Sequence, residues 1–203
     1  MEAYETEEQQ VEAIKSWWKE NGKAVVIGGV VGIGAILGWK YYQAAQLEAK
    51  EVASISYEQT LTALQVSGAE AADSAQAFIT ANAKSEYAAL AALQLAKVQV
   101  EAAQLNAALE QLTWVASNSK DESLIATAQV RIARIQAEQD KFDDALATLA
   151  GVKPVSWSAR VAELKGDIAL RQGDLATART AYTEALQAGT NQAVQMKLDD
   201  LAE

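Results

Sequence analysis

Cysteine and histidine are both missing from this chain. That removes disulfides, zinc sites built from Cys and His, Ser-His-Asp triads and Cys-His dyads. Proline occurs once and glycine eleven times, so the residues that interrupt helices are scarce. Positive charge is also short, with 17 basic residues against 27 acidic and a formal net charge of −10. Phosphate backbones are held largely by Lys and Arg, which argues against a nucleic-acid partner. Ala, Leu and Gln are abundant, a composition that points to an all-α protein.

Apolar residues are concentrated in one place. Ala24 to Trp39 run without a charge between Lys23 and Lys40. At ~1.5 Å per residue the run spans about 24 Å, which is short of a hydrocarbon core of about 30 Å. Taking Asn21 to Tyr42, with Lys23 and Lys40 snorkelling outward, gives roughly 33 Å. Trp17, Trp18, Trp39, Tyr41 and Tyr42 lie at the two ends, where amphipathic rings sit at the headgroup level. These brackets favour a lipid-embedded helix over the core helix of a soluble protein.

The leader before the run carries Glu2, Glu5, Glu7, Glu8, Glu12 and Glu20 against three lysines, and the run is followed directly by Lys40-Tyr41-Tyr42-Gln43, with no Ala-x-Ala. A cleavable signal peptide has a short basic leader and a small-residue cleavage site, so an uncleaved signal anchor is expected. Lys15, Lys19 and Lys23 precede the span, and Lys40 and Lys50 follow it. That small bias places the N-terminus in the cytosol and the rest outside a bacterial inner membrane. The expected division is a leader over 1–22, a transmembrane anchor over 23–42 and a periplasmic repeat domain over 43–203. Gly28 and Gly32 are four apart, as are Gly34 and Gly38. Such spacing lets another helix approach closely, although glycine is also simply common in membrane helices.

Behind the span, helical periodicity is broken by polar joints near Ser67-Gly68, Asn82 to Ser85, Ser117 to Asp121, Gly151 to Pro154, Gln172 to Asp174 and Gly189 to Asn191. Helices of roughly 12 to 20 residues are expected between them. The segment Gly166 to Leu186 resembles a tetratricopeptide repeat, a helix-turn-helix unit of about 34 residues. Gly166 stands at the first close helix contact, Gly173-Asp174 at the turn, Ala178 and Ala185 at small positions, and Tyr182 at the large wedge. Lys165 departs from the pattern, and no proline closes the unit.

Weaker echoes lie upstream, with Asp140 replacing the turn glycine in one unit. They are Ile132-Ala133, Phe142, Ala145 and Leu149; then Leu95-Ala96, Leu105, Ala108 and Leu112; then Leu61-Thr62, Leu64, Ser74 and Phe78. Three good repeats, one degenerate one and a polar-faced capping helix from about Asn191 to Leu201 make an α-solenoid. The fold class is therefore all-α, a single N-terminal transmembrane helix followed by a tetratricopeptide-like α-solenoid. A plain helical bundle with accidental Ala periodicity is the competing reading.

The order of leader, Gly-rich span and repeats resembles the ancillary SecYEG translocon subunit family of Gram-negative inner membranes. The likeness is most specific over Met1 to Tyr42 and Gly166 to Leu186. The resemblance implies a single-span protein whose repeat domain is periplasmic. It further implies association with the SecYEG translocon and with a membrane-anchored periplasmic parvulin-like chaperone, assisting exported client polypeptides.

No phosphate loop, metal-ligand cluster or nucleophile motif is present in the sequence. Asp143-Asp144 and Asp199-Asp200 are the nearest approach to paired carboxylates, but neighbours on a helix point apart and read as solvated faces. No cofactor and no catalytic residue is expected, and binding is the expected activity. By the repeat register, the first helix of each pair lines a concave surface. Its candidates are Leu90, Leu93, Lys97, Val100, Val130, Arg134, Arg160, Leu170 and Arg171, with Ala137 and Asp167 beside them. Packing against adjacent helices is the alternative at each position. The lysine-asparagine-arginine set of carboxylate-clamp repeats is absent. A different function would use the leader, where Val11, Ile14, Trp17 and Trp18 could sequester a cytosolic signalling protein or lie on the bilayer.

Overall fold

The computed structural model describes residues 7–189 and 191–201. Glu2 and Glu5 of the leader and Thr190 lie outside them. Two compact units are present, Met1–Val52 and Ala53–Glu203. All the regular elements among the described residues are helices. The first, α1, runs Glu7–Ser67 for 61 residues, through the leader and the apolar run to the expected break at Ser67-Gly68. No residue in this stretch is proline, and Ala, Glu, Gln and Leu carry the helix past both ends of the apolar run.

In the first unit α1 is long and apolar enough to cross a membrane, and its apolar window is almost wholly unburied. Val30, Ile33, Ile36 and Leu37 each leave 60% or more of their surface exposed. A helix that is apolar on all sides without protein cover suits lipid, not a soluble core. The flanks are ordered locally. Trp18 covers Gly22, where an added Cβ would lie 3.1 Å from the indole Cε2. Asn21 donates from Nδ2 to the Trp17 carbonyl at 3.1 Å, and the rings of Trp39 and Tyr42 are 6.1 Å apart.

The second unit takes the C-terminal part of α1 and then α2 (Ala72–Ala81), α3 (Glu86–Glu101), α4 (Leu105–Asn118), α5 (Glu122–Glu138), α6 (Phe142–Ala150), α7 (Ser158–Arg171), α8 (Leu175–Ala188) and α9 (Gln192–Asp200). Short 3-10 turns, Gly68–Ala71 and Val155–Trp157, precede α2 and α7. From α2 onward each helix packs chiefly on its sequence neighbours, and the first helices α3, α5 and α7 also touch in succession. That is how a stacked repeat buries faces that no hairpin could bury alone. Three successive apolar clusters follow, from Leu64 to Ile135, from Val130 to Ile168 and from Ala162 to Val194.

Two further turns lie outside the six polar joints, at Ala102 to Gln104 and at Gln139 to Lys141, the latter where the repeat register puts Asp140 in place of the turn glycine. They repeat the geometry of Gln172 to Asp174. Ala103, Asp140 and Gly173 all have positive φ, at 59°, 58° and 81°. The residue after each donates its N–H back into the first helix, Gln104 to Gln99, Lys141 to Gln136 and Asp174 to Ala169. This is the paired-bond pattern of a left-handed helix C-terminus. Glycine, the residue suited to that backbone, occupies only the third turn; Asp140 takes its place in the second, as the repeat register expects, and Ala103 in the first carries no turn signal.

The small positions of the repeat behave as expected. Ala96, Ala108, Ala133, Ala145, Ala178 and Ala185 are buried, as are Leu112, Leu149 and the full ring of Tyr182. In the degenerate unit Leu64 and Phe78 are buried, whereas Thr62 and Ser74 are exposed. Helix α9 closes the unit through Val194, buried beside Ala162 and Tyr182, while Met196 faces outward. Lys197 Nζ reaches Asp167 Oδ1 at 2.7 Å and Glu163 Oε1 at 3.1 Å on α7. The hydroxyl of Tyr182 donates to Asp167 Oδ1 at 2.8 Å.

Candidate functional site

The face of α3 that carries Ala96, Lys97, Val100 and Glu101 stands opposite the face of α5 that carries Arg131, Arg134 and Ile135. Spacings of three and four put each set on one side of its helix. Between them lies a cleft of about 310 Å³ with Leu112 of α4 at its base. Ala96, Leu112 and Ile135 are buried and form the floor, whereas Lys97, Val100, Glu101, Arg131 and Arg134 stay exposed at the rim.

The rim is electrostatically uneven. Lys97 Nζ lies 3.7 Å from Glu101 Oε1, an exposed pair one helical turn apart. Arg131 donates from Nη1 to the Leu93 carbonyl at 3.3 Å. Partial burial, and secondarily the charge of Arg134, hold the Arg131 pKa below the usual arginine value. Guanidinium stays charged nevertheless, since its unperturbed pKa lies so far above neutrality.

Three of the surface candidates, Lys97, Val100 and Arg134, meet in this cleft. Leu90 is half-buried on α3. Leu93 and Val130 are corrections, because they are only 7% and 4% exposed and belong to the core. Stacking of first helices accounts for it: Leu93 lies in the cluster that spans α3 to α5, and Val130 in the cluster with Leu164 and Ile168 of α7. Ala137 is buried as well.

Arg171 is exposed but engaged, with Nη1 2.9 Å from Glu138 Oε1, Nη2 3.4 Å from Asp140 Oδ1 and its guanidinium 5.8 Å from the Phe142 ring centre. It ties the end of α7 to the turn between α5 and α6. Asp167 is occupied by Tyr182 and Lys197. Arg160 and Leu170 are exposed on α7, outside the cleft.

Arg131, Ala96, Glu101, Leu112 and Ile135 were not among the sequence candidates. The recurrence of arginine at 131 and 134 was the available signal, since i and i+3 share a face. In the span, Gly28, Gly32, Gly34 and Gly38 have open space where a side chain would project. Asp143, Asp144, Asp199 and Asp200 are exposed. Among the described residues no group of three or more acidic side chains could hold a metal ion.

Residues 15–203 match the family model described as a tetratricopeptide repeat-like domain. A protein of Escherichia coli (strain K12) named ancillary SecYEG translocon subunit is 36% identical over 206 residues, covering 100% of both chains. Its namesake in Haemophilus influenzae (strain ATCC 51907 / DSM 11121 / KW20 / Rd) is 35% identical over 198 residues, covering 96% of this chain and 97% of the relative. The chain belongs to the ancillary SecYEG translocon subunit family. A namesake in Neisseria gonorrhoeae (strain ATCC 700825 / FA 1090), at 27% identity, still aligns with 99% of this chain. Family likeness therefore embraces the apolar part of α1 as well as the repeats, and tetratricopeptide-like repeats present surfaces for other proteins.

Proposed function

We propose that the protein is a non-enzymatic, membrane-tethered scaffold of the SecYEG translocon. In this reading residues 1–22 are cytosolic, 23–42 cross the inner membrane, and 43–203 form a periplasmic repeat domain. The repeats engage exported client polypeptides together with a membrane-anchored parvulin-like chaperone. The observation that carries the reading is the full-length likeness to translocon subunits, joined to an uncovered apolar segment and a repeat unit with an open cleft.

Two contacts are assigned. Gly28, Gly32, Gly34 and Gly38 offer a flat face to a translocon helix. Lys97, Val100 and Arg134, with Arg160, Leu170 and the flank of Leu90, offer polar and apolar atoms to a polypeptide. Each contact is weak alone, but tethering in one membrane raises the effective concentration of the second.

The test is photo-crosslinking in intact membranes. A probe at Gly32 is expected to capture a translocon subunit, and a probe at Val100 an exported chain or a periplasmic chaperone. Capture of neither class from either position overturns the reading.

A further inference from the structure

The cleft between α3 and α5 is opposite in charge to the chain that contains it. Lys97, Arg131 and Arg134 border it against a single carboxylate, Glu101, although the chain carries −10 overall. Glu101 already faces Lys97. Among the described residues no carboxylate lies within ion-pair range of Arg131 or Arg134, whereas Arg171 has two.

Two like charges three residues apart on a helix repel each other. Partial burial adds to that cost at Arg131, whose pKa is pushed down first by desolvation and then by Arg134. The bond from Arg131 to the Leu93 carbonyl, which joins α5 to α3, is the one hydrogen bond of either guanidinium among the described residues. An anion placed between them would relieve the repulsion. The floor beneath is apolar, made by Ala96, Leu112 and Ile135, with Val100 at its edge.

We propose that this cleft receives an extended polypeptide segment that offers a carboxylate to Arg131 and Arg134 and an adjacent aliphatic side chain to the floor. The inference rests on the scaffold reading and supplies the chemistry of its protein ligand. Charge complementarity selects the occupant. A guanidinium fork matches a carboxylate in two parallel hydrogen bonds, and the remaining donors of Arg131 have no other protein acceptor among the described residues. An extended chain sends successive side chains to opposite faces, so residues two apart share a side and can place acid and aliphatic groups together.

The experiment uses the full chain in mild detergent and fluorescence anisotropy. The probe is a short labelled peptide of blocked ends in which every second-neighbour pair combines Leu with Asp, compared with its Asn counterpart. The Asp probe should bind about tenfold more tightly, as expected for charge-assisted bonds to arginine. R131Q with R134Q should abolish the preference, and K153Q, an exposed charge outside the cleft, should keep it. R131E with R134E should prefer a Lys-containing probe instead, a gain that a misfolded variant would not show.

Equal binding of the Asp and Asn probes, or a preference that survives R131Q with R134Q, overturns the inference. So does arginine-dependent binding to phosphatidylglycerol–phosphatidylethanolamine vesicles without peptide preference, which would assign the pair to lipid phosphate. Arginine-dependent self-association without peptide preference would assign it to a second copy and equally overturn the inference. Co-purification with the translocon, read from the same preparations, separates the two levels. Its loss from the native chain removes the scaffold reading, whereas its persistence without an Asp preference removes this inference alone.

Discussion

The ring of Tyr182 occupies the space that a side chain at Gly166 would need: a Cβ there would sit 2.5 Å from Cδ1. The two residues stand on α7 and α8 and bring those helices into close approach. Tyr182 is fully buried, and Ala178 and Ala185 are buried on the same helix. Gly166→Ala should therefore cost about 1–3 kcal/mol through overpacking. Thermal unfolding of the full chain in detergent checks this. Gly166→Ala combined with Tyr182→Leu should recover part of the loss, since the two sites share one contact.

Ala103 holds φ of 59° at a turn where its equivalent is Gly173. A left-handed backbone costs a residue with a Cβ about 1–2 kcal/mol. Ala103→Gly should stabilise the repeat unit by about 0.5–1 kcal/mol after the greater freedom of glycine in the unfolded chain is set against it. A lower denaturation midpoint in the glycine variant would show that the turn is not strained.

Lys197 and Tyr182 make the C-terminal hairpin sensitive to alkali. Burial disfavours the Lys197 ammonium, but its bonds to Asp167 and Glu163 outweigh that and raise its pKa. Burial, then the bond to Asp167, raises the Tyr182 pKa from its ordinary 10.0. Both groups hold their protons more tightly when folded. Their contribution is complete below the unfolded pKa values and is lost as pH rises through the higher folded ones. The melting temperature should thus fall as pH rises past about 10, and Lys197→Met should flatten the fall.

Much of this was legible because its physical cause is local. Gly173 and Gly166 announce a left-handed turn and a close contact, and Trp and Tyr bracket the span. The turn at Ala103 was not legible, because a residue that ordinarily continues a helix stands where tertiary packing imposes the turn, whereas the repeat register already put Asp140 at a turn. The end of α1 was legible too, since the helix stops at the Ser67-Gly68 joint. At the site, register found Lys97, Val100 and Arg134 but put Leu93 and Val130 on the surface. Periodicity names a face of a helix without saying how many neighbours will share it. The pairing of Arg131 with Arg134 needed the opposing helix to become visible.

Topology provides a further check. Protease added to spheroplasts should digest the chain beyond about Tyr42 and spare the leader. Digestion of the leader with protection of the repeats would reverse the orientation.

The leader offers Val11, Ile14, Trp17 and Trp18 as exposed apolar side chains. Deletion of residues 2 to 14 should leave translocon association intact if the span and the repeats carry it. Loss of association would move recognition to the leader.

Co-purification tests the central claim most directly. The tagged full chain, drawn from inner membranes in a mild detergent, should bring SecYEG with it, as its relatives' name leads one to expect. Replacing Gly28, Gly32, Gly34 and Gly38 by Leu should lower that yield while the repeat unit keeps its melting temperature. Recovery of the native chain free of SecYEG would contradict the account.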